Sequence, residues 1–283
     1  MTLRLVHVMG LPVRADVRSP VPGAVLDAVF AWFREVDARF SPYRRDSAVA
    51  RRARGRPAPD PELDALLARC EALRAATCGY FDAFAGGALD PSALVKGWAV
   101  DRAGALLDAA GVRRWCLDAG GDVRVRGGGW RVGVRHPEAR HRLAGVLVLD
   151  DGAVATSGAY ERGPHVLDPH TGRPPRGVRA VTVVGPELAT ADAYATAAFA
   201  MGARGPAWTA TLAGHGAMTV LDDDRVLATP AFLARCPGGS LAASLARDER
   251  SRNAAATRAP HPSDHGPVQH DDVPTRPMCA GGS

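Results

Sequence analysis

The stretch Trp115-Cys-Leu-Asp-Ala-Gly-Gly-Asp-Val-Arg-Val-Arg-Gly-Gly-Gly-Trp-Arg-Val-Gly-Val-Arg135 decides the fold class. Apolar and polar residues alternate through it, and glycines punctuate it at 120–121 and 127–129. A period of two marks strands half buried on one face, and Gly pairs mark the turns between them. LAGVLVLDD (143–151), AVATSG (153–158) and RAVTVVG (179–185) continue the same pattern downstream. Upstream, residues 3–8 and 13–17 alternate likewise around Gly10 and Pro12 and predict a strand pair or a bent strand.

Helical periodicity fills the interval. Between Pro22 and Arg39, Val25, Val29, Phe33 and Val36 fall on one stripe that Leu26, Phe30 and Trp32 widen, and Pro22 suits a first turn. FSPYRRDS (40–47) breaks that helix. A second helix is expected over about 60–76, with Leu63, Leu66, Leu67 and Leu73 as its stripe, and a third from about Lys96 to Ala110. After the strands come a helix at about 189–201, a shorter one from 205 to 213, and a closing hairpin, AMTVLDDDRVLAT (217–229), turning on three Asp. Helices cluster early and strands in the middle, which is an α+β arrangement rather than a βαβ repeat.

Composition bounds the rest. The 283 residues amount to about two average domains or one elaborated domain. Hydrophobic residues make up 46% and charged residues 23%, as in soluble globular proteins. The net charge is +5, carried by Arg interspersed with Asp and Glu, so a nucleic-acid partner is not expected. Charges at Arg4, Arg14 and Asp16 interrupt any secretory h-region, and no run of 18 strongly apolar residues exists. A cytoplasmic protein without stable membrane insertion is therefore expected. Five Cys without CxxC spacing argue for reduced thiols and against a zinc site. From about Leu245 the chain loses periodicity. Residues 246–283 carry five Arg and five acids, with His261, His265 and His270 among them. The expected division is a folded domain over 1–236 and a disordered low-complexity tail over 237–283.

Several segments could carry chemistry. Lys96 is the only Lys in the chain and stands in DPSALVKGWAVD (90–101). At a helix start followed by Gly97, its compact charge could meet a phosphate. Asp192 and Thr196 lie four apart in ADAYATAAFAMG and share a helix face. A carboxylate and a hydroxyl are hard donors suited to Mg²⁺, although spacing alone favours a first-turn acid beside a packing Thr. His165 in GPHVLDPHTGRP precedes turn chemistry and could act as a base, and His170 competes for that role. ATSGAYERG lacks the GxSxG elbow, so Thr156, Ser157 and Tyr160 suggest a ligand-lining loop or a plain turn. DAGGDV (118–123) lacks the GxGxxG spacing, and GxxxxGK[ST] is absent.

In order, MG, FSPYRRDS, YFD, DPSALVKGWAVD, DAGGDVR, WRVGVRHP, ATSGAYERGPHVLDPHTG and TVVGPELATADAYATAAFAMG resemble the ApbE family, the FAD:protein FMN transferases, over residues from about 9 to 228. The resemblance implies a T-fold-like, two-lobed single domain that takes FAD as substrate with Mg²⁺. It implies transfer of FMN through a phosphoester to a Thr or Ser hydroxyl of an acceptor flavoprotein, with release of AMP. The acceptor segment would be of the type Asp-x-x-Ser/Thr-Gly/Ala-Ala-Thr. By position, Ala93 (through its carbonyl), Asp192 and Thr196 resemble the metal ligands. Met9, Tyr43, Tyr80, Phe81, Asp82, Asp90, Lys96 and Val166 resemble the flavin-nucleotide contacts, and His165 resembles the general base. Lys96 would also stabilise the charge that develops on the leaving phosphate. The same site with water as acceptor would be an FAD pyrophosphatase, and without turnover an FAD-binding protein.

Overall fold

A computed structural model of the chain describes residues 1–56, 59–138, 141–158 and 166–237. Its spine is one eight-stranded sheet whose strands follow chain order, each antiparallel to the next. The strands are β1 (Thr2–Val8), β2 (Leu11–Val17), β3 (Trp115–Ala119), β4 (Asp122–Arg135), β5 (Leu143–Gly158), β6 (Val178–Gly185), β7 (Gly216–Leu221) and β8 (Val226–Ala228). Two hairpins close with two residues each. Met9-Gly10 have φ of 58° and 72°, and Gly120-Gly121 have φ of 64° and 97°. Positive φ at both turn positions matches the twist of the flanking strands.

The helices enter between neighbouring strands. α1 (Gly23–Phe40), α2 (Ala48–Ala53), α3 (Pro61–Ala76) and α4 (Ser92–Ala109) separate β2 from β3. α5 (Leu188–Ala200) and the short α6 (Gly205–Thr209) separate β6 from β7, and α7 (Pro230–Leu233) follows β8. Alternate side chains of the sheet divide between two apolar clusters. Leu117, Ala155 and Val183 join the helices in the larger cluster, where α1 buries Val29, Phe30 and Phe33. Cys116, Val154 and Val184 join Trp130, Leu147 and Phe232 in the smaller one. This is the α+β arrangement expected from the sequence.

The KGWAVD segment acquires a physical reading here. A Cβ on Gly97 would lie 2.6 Å from the Cα of Ala189, so α4 crosses the start of α5 backbone to backbone. One turn on, Asp101 accepts the orphan amides of that start, from Leu188 N at 3.0 Å and Ala189 N at 2.9 Å. Burial raises the Asp101 carboxyl pKa, and these two amides act in the opposite sense. Trp98 packs edge-on against Trp32 and Phe40, at 5.2 and 5.6 Å between ring centroids. Trp32 in turn donates its indole N–H to Ala99 O at 2.9 Å.

Some expectations need correction. α4 begins at Ser92, where the Asp90 carboxylate accepts from Ser92 N at 2.9 Å, so Lys96 lies inside the helix and not at its start. α2, capped by the Ser47 hydroxyl accepting from Ala50 N at 3.0 Å, follows the break in FSPYRRDS, and α6 is shorter than its pattern. Cys70, Cys116 and Cys236 are free, but Cys78 is disulfide-bonded. Burial pushes the Cys70 and Cys116 thiols up to about 12. The expected tail lies outside the described residues, apart from Pro237. Among the described residues, no helix is long and apolar enough to cross a membrane.

Gly97→Ala gains helix propensity of about 1 kcal/mol, but its methyl meets backbone, which no rotamer change relieves. The expected outcome is a net loss of about 1–3 kcal/mol in urea unfolding. An unchanged midpoint would mean that α4 and α5 do not approach this closely.

Candidate active site

The two hairpin turns lie side by side, with Gly120 N donating to Pro12 O at 3.0 Å. They form one wall of a cleft of about 670 Å³, to which Met9, Gly10, Leu11, Gly120 and Asp122 contribute. The C-terminal end of α1 and the segment after it bring Phe40, Ser41 and Tyr43. The turn after α3 brings Tyr80, Phe81 and Asp82. Asp90 before α4 and Ala93 and Lys96 within it line the cleft, the end of β5 supplies Thr156 and Ser157, and α5 supplies Asp192 and Thr196. Val166 completes the lining beside Leu167. Every described candidate from the sequence except His170 therefore reaches one cleft. His165 lies outside the described residues, so its position is not part of this geometry.

The floor is a charge cluster. The Lys96 ammonium pairs with the Asp122 carboxylate and lies 3.3 Å from Asp192 Oδ2. Both carboxylates are only 4% exposed, and the lysine side chain 22%. Burial works against the ammonium, but Asp122 and Asp192 together outweigh it and hold the Lys96 pKa above the usual lysine value. Asp122 is itself fixed, since its Oδ1 accepts from Thr156 N at 3.0 Å. A hydroxyl pair stands beside the cluster, with Ser157 Oγ 3.2 Å from Thr196 Oγ1.

Two tyrosines stand in the walls. Tyr80 is buried and Tyr43 is exposed. Tyr80 packs edge-on against the His170 ring at 4.6 Å and accepts from the Arg204 guanidinium. His170, the competing base candidate, also bonds through Nε2 to Cys78 O at 2.9 Å. It stands behind Tyr80 and is not among the residues that line the cleft. Asp82 and Asp90 are engaged locally, each accepting from the backbone N–H two residues on, at 2.8 and 2.9 Å.

Among the described residues, no three His, Cys, Asp or Glu converge as a metal cluster. The available donors are the Asp192 carboxylate, the hydroxyls of Thr196 and Ser157, and backbone carbonyls such as that of Ala93. All are hard oxygens and sparse, which fits Mg²⁺, an ion that keeps waters and borrows substrate oxygens. Sequence reasoning missed Asp122 and left Ser157 between a ligand-lining loop and a plain turn; it stands on β5 and lines the cleft. The available signal was an acid directly after a Gly-Gly hairpin, which fixes its backbone at a strand start.

Residues 83–219 match the ApbE family. The FAD:protein FMN transferase of Rhodobacter capsulatus is 38% identical over 160 residues, covering 52% of this chain and 31% of that protein. That of Treponema pallidum is 32% identical over 211 residues, covering 62% of this chain and 58% of that protein. The chain thus spans between about a third and three fifths of the length of these relatives. The fold is similar to the crystal structure of the ApbE protein from Thermotoga maritima, with a TM-score of 0.75 and 24% identity over 84% of this chain and 99% of that one. It is similar also to the flavin transferase ApbE from Vibrio cholerae, with a TM-score of 0.74 and 22% identity over 83% and 98%. The matched segment runs from the turn after α3 to β7 and holds Asp90, Lys96, Asp122, Asp192 and Thr196, so the part of this chain that is similar to the ApbE family is the part that carries the floor of the cleft.

Proposed function

We propose that this chain transfers FMN from FAD to a Thr or Ser hydroxyl of an acceptor flavoprotein, in a Mg²⁺-dependent reaction that forms a phosphoester and releases AMP. The observation that carries this reading is the convergence of the described candidates other than His170 on one cleft with a half-buried lysine at its floor. The names of the relatives support the same reaction class.

Met9, Tyr80, Phe81 and Val166 offer apolar and aromatic surface to the flavin nucleotide, with Tyr43 at the exposed rim. Lys96 keeps a positive charge beneath the pyrophosphate at every physiological pH. Asp192, Thr196 and the Ala93 carbonyl would hold Mg²⁺, which when bound neutralises charge on the pyrophosphate oxygens. His165 is assigned as the base that takes the acceptor hydroxyl proton. The hydroxyl oxygen then bonds to the FMN phosphorus, the P–O bond to the AMP half breaks, and AMP leaves with the bridging oxygen. No electron changes hands. The acceptor threonine is expected within an Asp-x-x-Ser/Thr-Gly/Ala-Ala-Thr segment. DDGAVATSGAY in this chain resembles such a segment only loosely.

Intact-mass spectrometry of an acceptor domain incubated with this protein, FAD and MgCl₂ tests the reading. A gain of one FMN less water, with equimolar AMP, is expected. AMP without the gain on any acceptor tried would make the protein a pyrophosphatase. FAD retained without AMP would make it a binding protein. His165→Ala should lower transfer by about 10²–10⁴-fold with FAD affinity largely kept. Equal loss of both would remove the base assignment. Asp192→Ala should abolish most activity, and full wild-type activity in EDTA would refute the metal.

The pH dependence has a definite sign. The raised Lys96 pKa means that its pairing stabilises the fold fully below the ordinary lysine value of 10.5 and is lost only as pH rises beyond it. Wild-type stability relative to Lys96→Met should therefore be flat from pH 6 to about 10 and decline above that range. A decline near neutrality would mean that the ammonium is not held by the two carboxylates.

A further inference from the structure

Lys96 sits between two carboxylates. Asp122 is tied at both oxygens, by Thr156 N at Oδ1 and by Lys96 at Oδ2, and its backbone is set by the Gly120-Gly121 turn. Asp192 meets the same ammonium at 3.3 Å and shares its helix face with Thr196 one turn on. The three groups carry one net negative charge in this state. A divalent cation at Asp192 would change that to one net positive charge, provided that Lys96 stays.

We propose that Asp122 is a positioning residue. It retains Lys96 in the cleft when a divalent cation competes for Asp192, so cation binding turns the floor from anion-repelling to anion-attracting. The inference rests on the proposed Mg²⁺ site. Two like cationic charges on one carboxylate repel, so the ammonium shifts its weight to the carboxylate that the cation does not use. Asp122 suits this part because its second oxygen is already committed to a backbone amide, which fixes the first toward Lys96. The consequence is an order of events in which the cation precedes the pyrophosphate or arrives with it.

Calorimetric titration of the full chain with MgCl₂ alone, without FAD, tests the competition independently of turnover. Lys96→Gln removes the competitor and should bind Mg²⁺ about tenfold more tightly than wild type. Asp122→Asn keeps the acceptor for Thr156 N but leaves Lys96 leaning on Asp192, and should bind about tenfold more weakly. In the double variant the Asp122→Asn effect should largely vanish, because it acts through Lys96. The same weakening with and without Lys96 would reduce Asp122 to a distant charge and overturn the proposal. So would affinities within twofold of wild type in both single variants. Absence of Mg²⁺ binding in wild type and variants alike would remove the metal site itself, and this inference with it. Should Lys96→Gln not fold, Lys96→Met supplies the same comparison, with circular dichroism reporting the fold.

Discussion

The backbone contact between Gly97 and Ala189 sets the geometry on which the cleft depends. Lys96 precedes this contact on α4, and Asp192 follows it by three residues on α5. Their ion pair can form only because no side chain stands between the two helices at that point. Asp101 locks the crossing by capping α5 from the same face of α4. A single six-residue segment thus supplies the charge, the close approach and the cap.

Burying charge in this way is costly, and the surroundings show how it is offset. A lysine and two carboxylates out of water are tolerable when each is paired and hydrogen-bonded. Asp122 meets that condition through Thr156 N and Lys96. The alanines of α5 allow the helix to pass between sheet and α4 with almost every residue buried, so Asp192 enters the interior without a larger neighbour forcing the layers apart.

Much of this was legible in the residues. The strand runs, the hairpin around three Asp and helices α1, α3 and α5 follow from period and punctuation, and each stands where its pattern lay. The start of α4 was misread because Asp90 turns the chain by accepting from Ser92 N, a signal that the apolar stripe alone does not show. The site candidates came from a resemblance to a family, since spacing alone favoured a packing role for Asp192 and Thr196. Asp122 escaped because its part is defined by partners on α4 and β5, distant in sequence and joined only through the fold. Cys78 departs from the expectation of reduced thiols, which rested on the absence of CxxC spacing.

The insertion of four helices between β2 and β3 bears on how the chain reaches this state. Strands β3 to β5 join through local turns, whereas Val17 finds Trp115 only after the whole helical segment has been gathered in. Contacts between residues far apart in sequence carry a larger closure entropy and tend to slow folding. The Met9 turn reaches the Asp122 turn through this late pairing. One wall of the cleft is therefore assembled by the most non-local contact in the sheet, and ligand capacity should be among the last properties a refolding chain acquires.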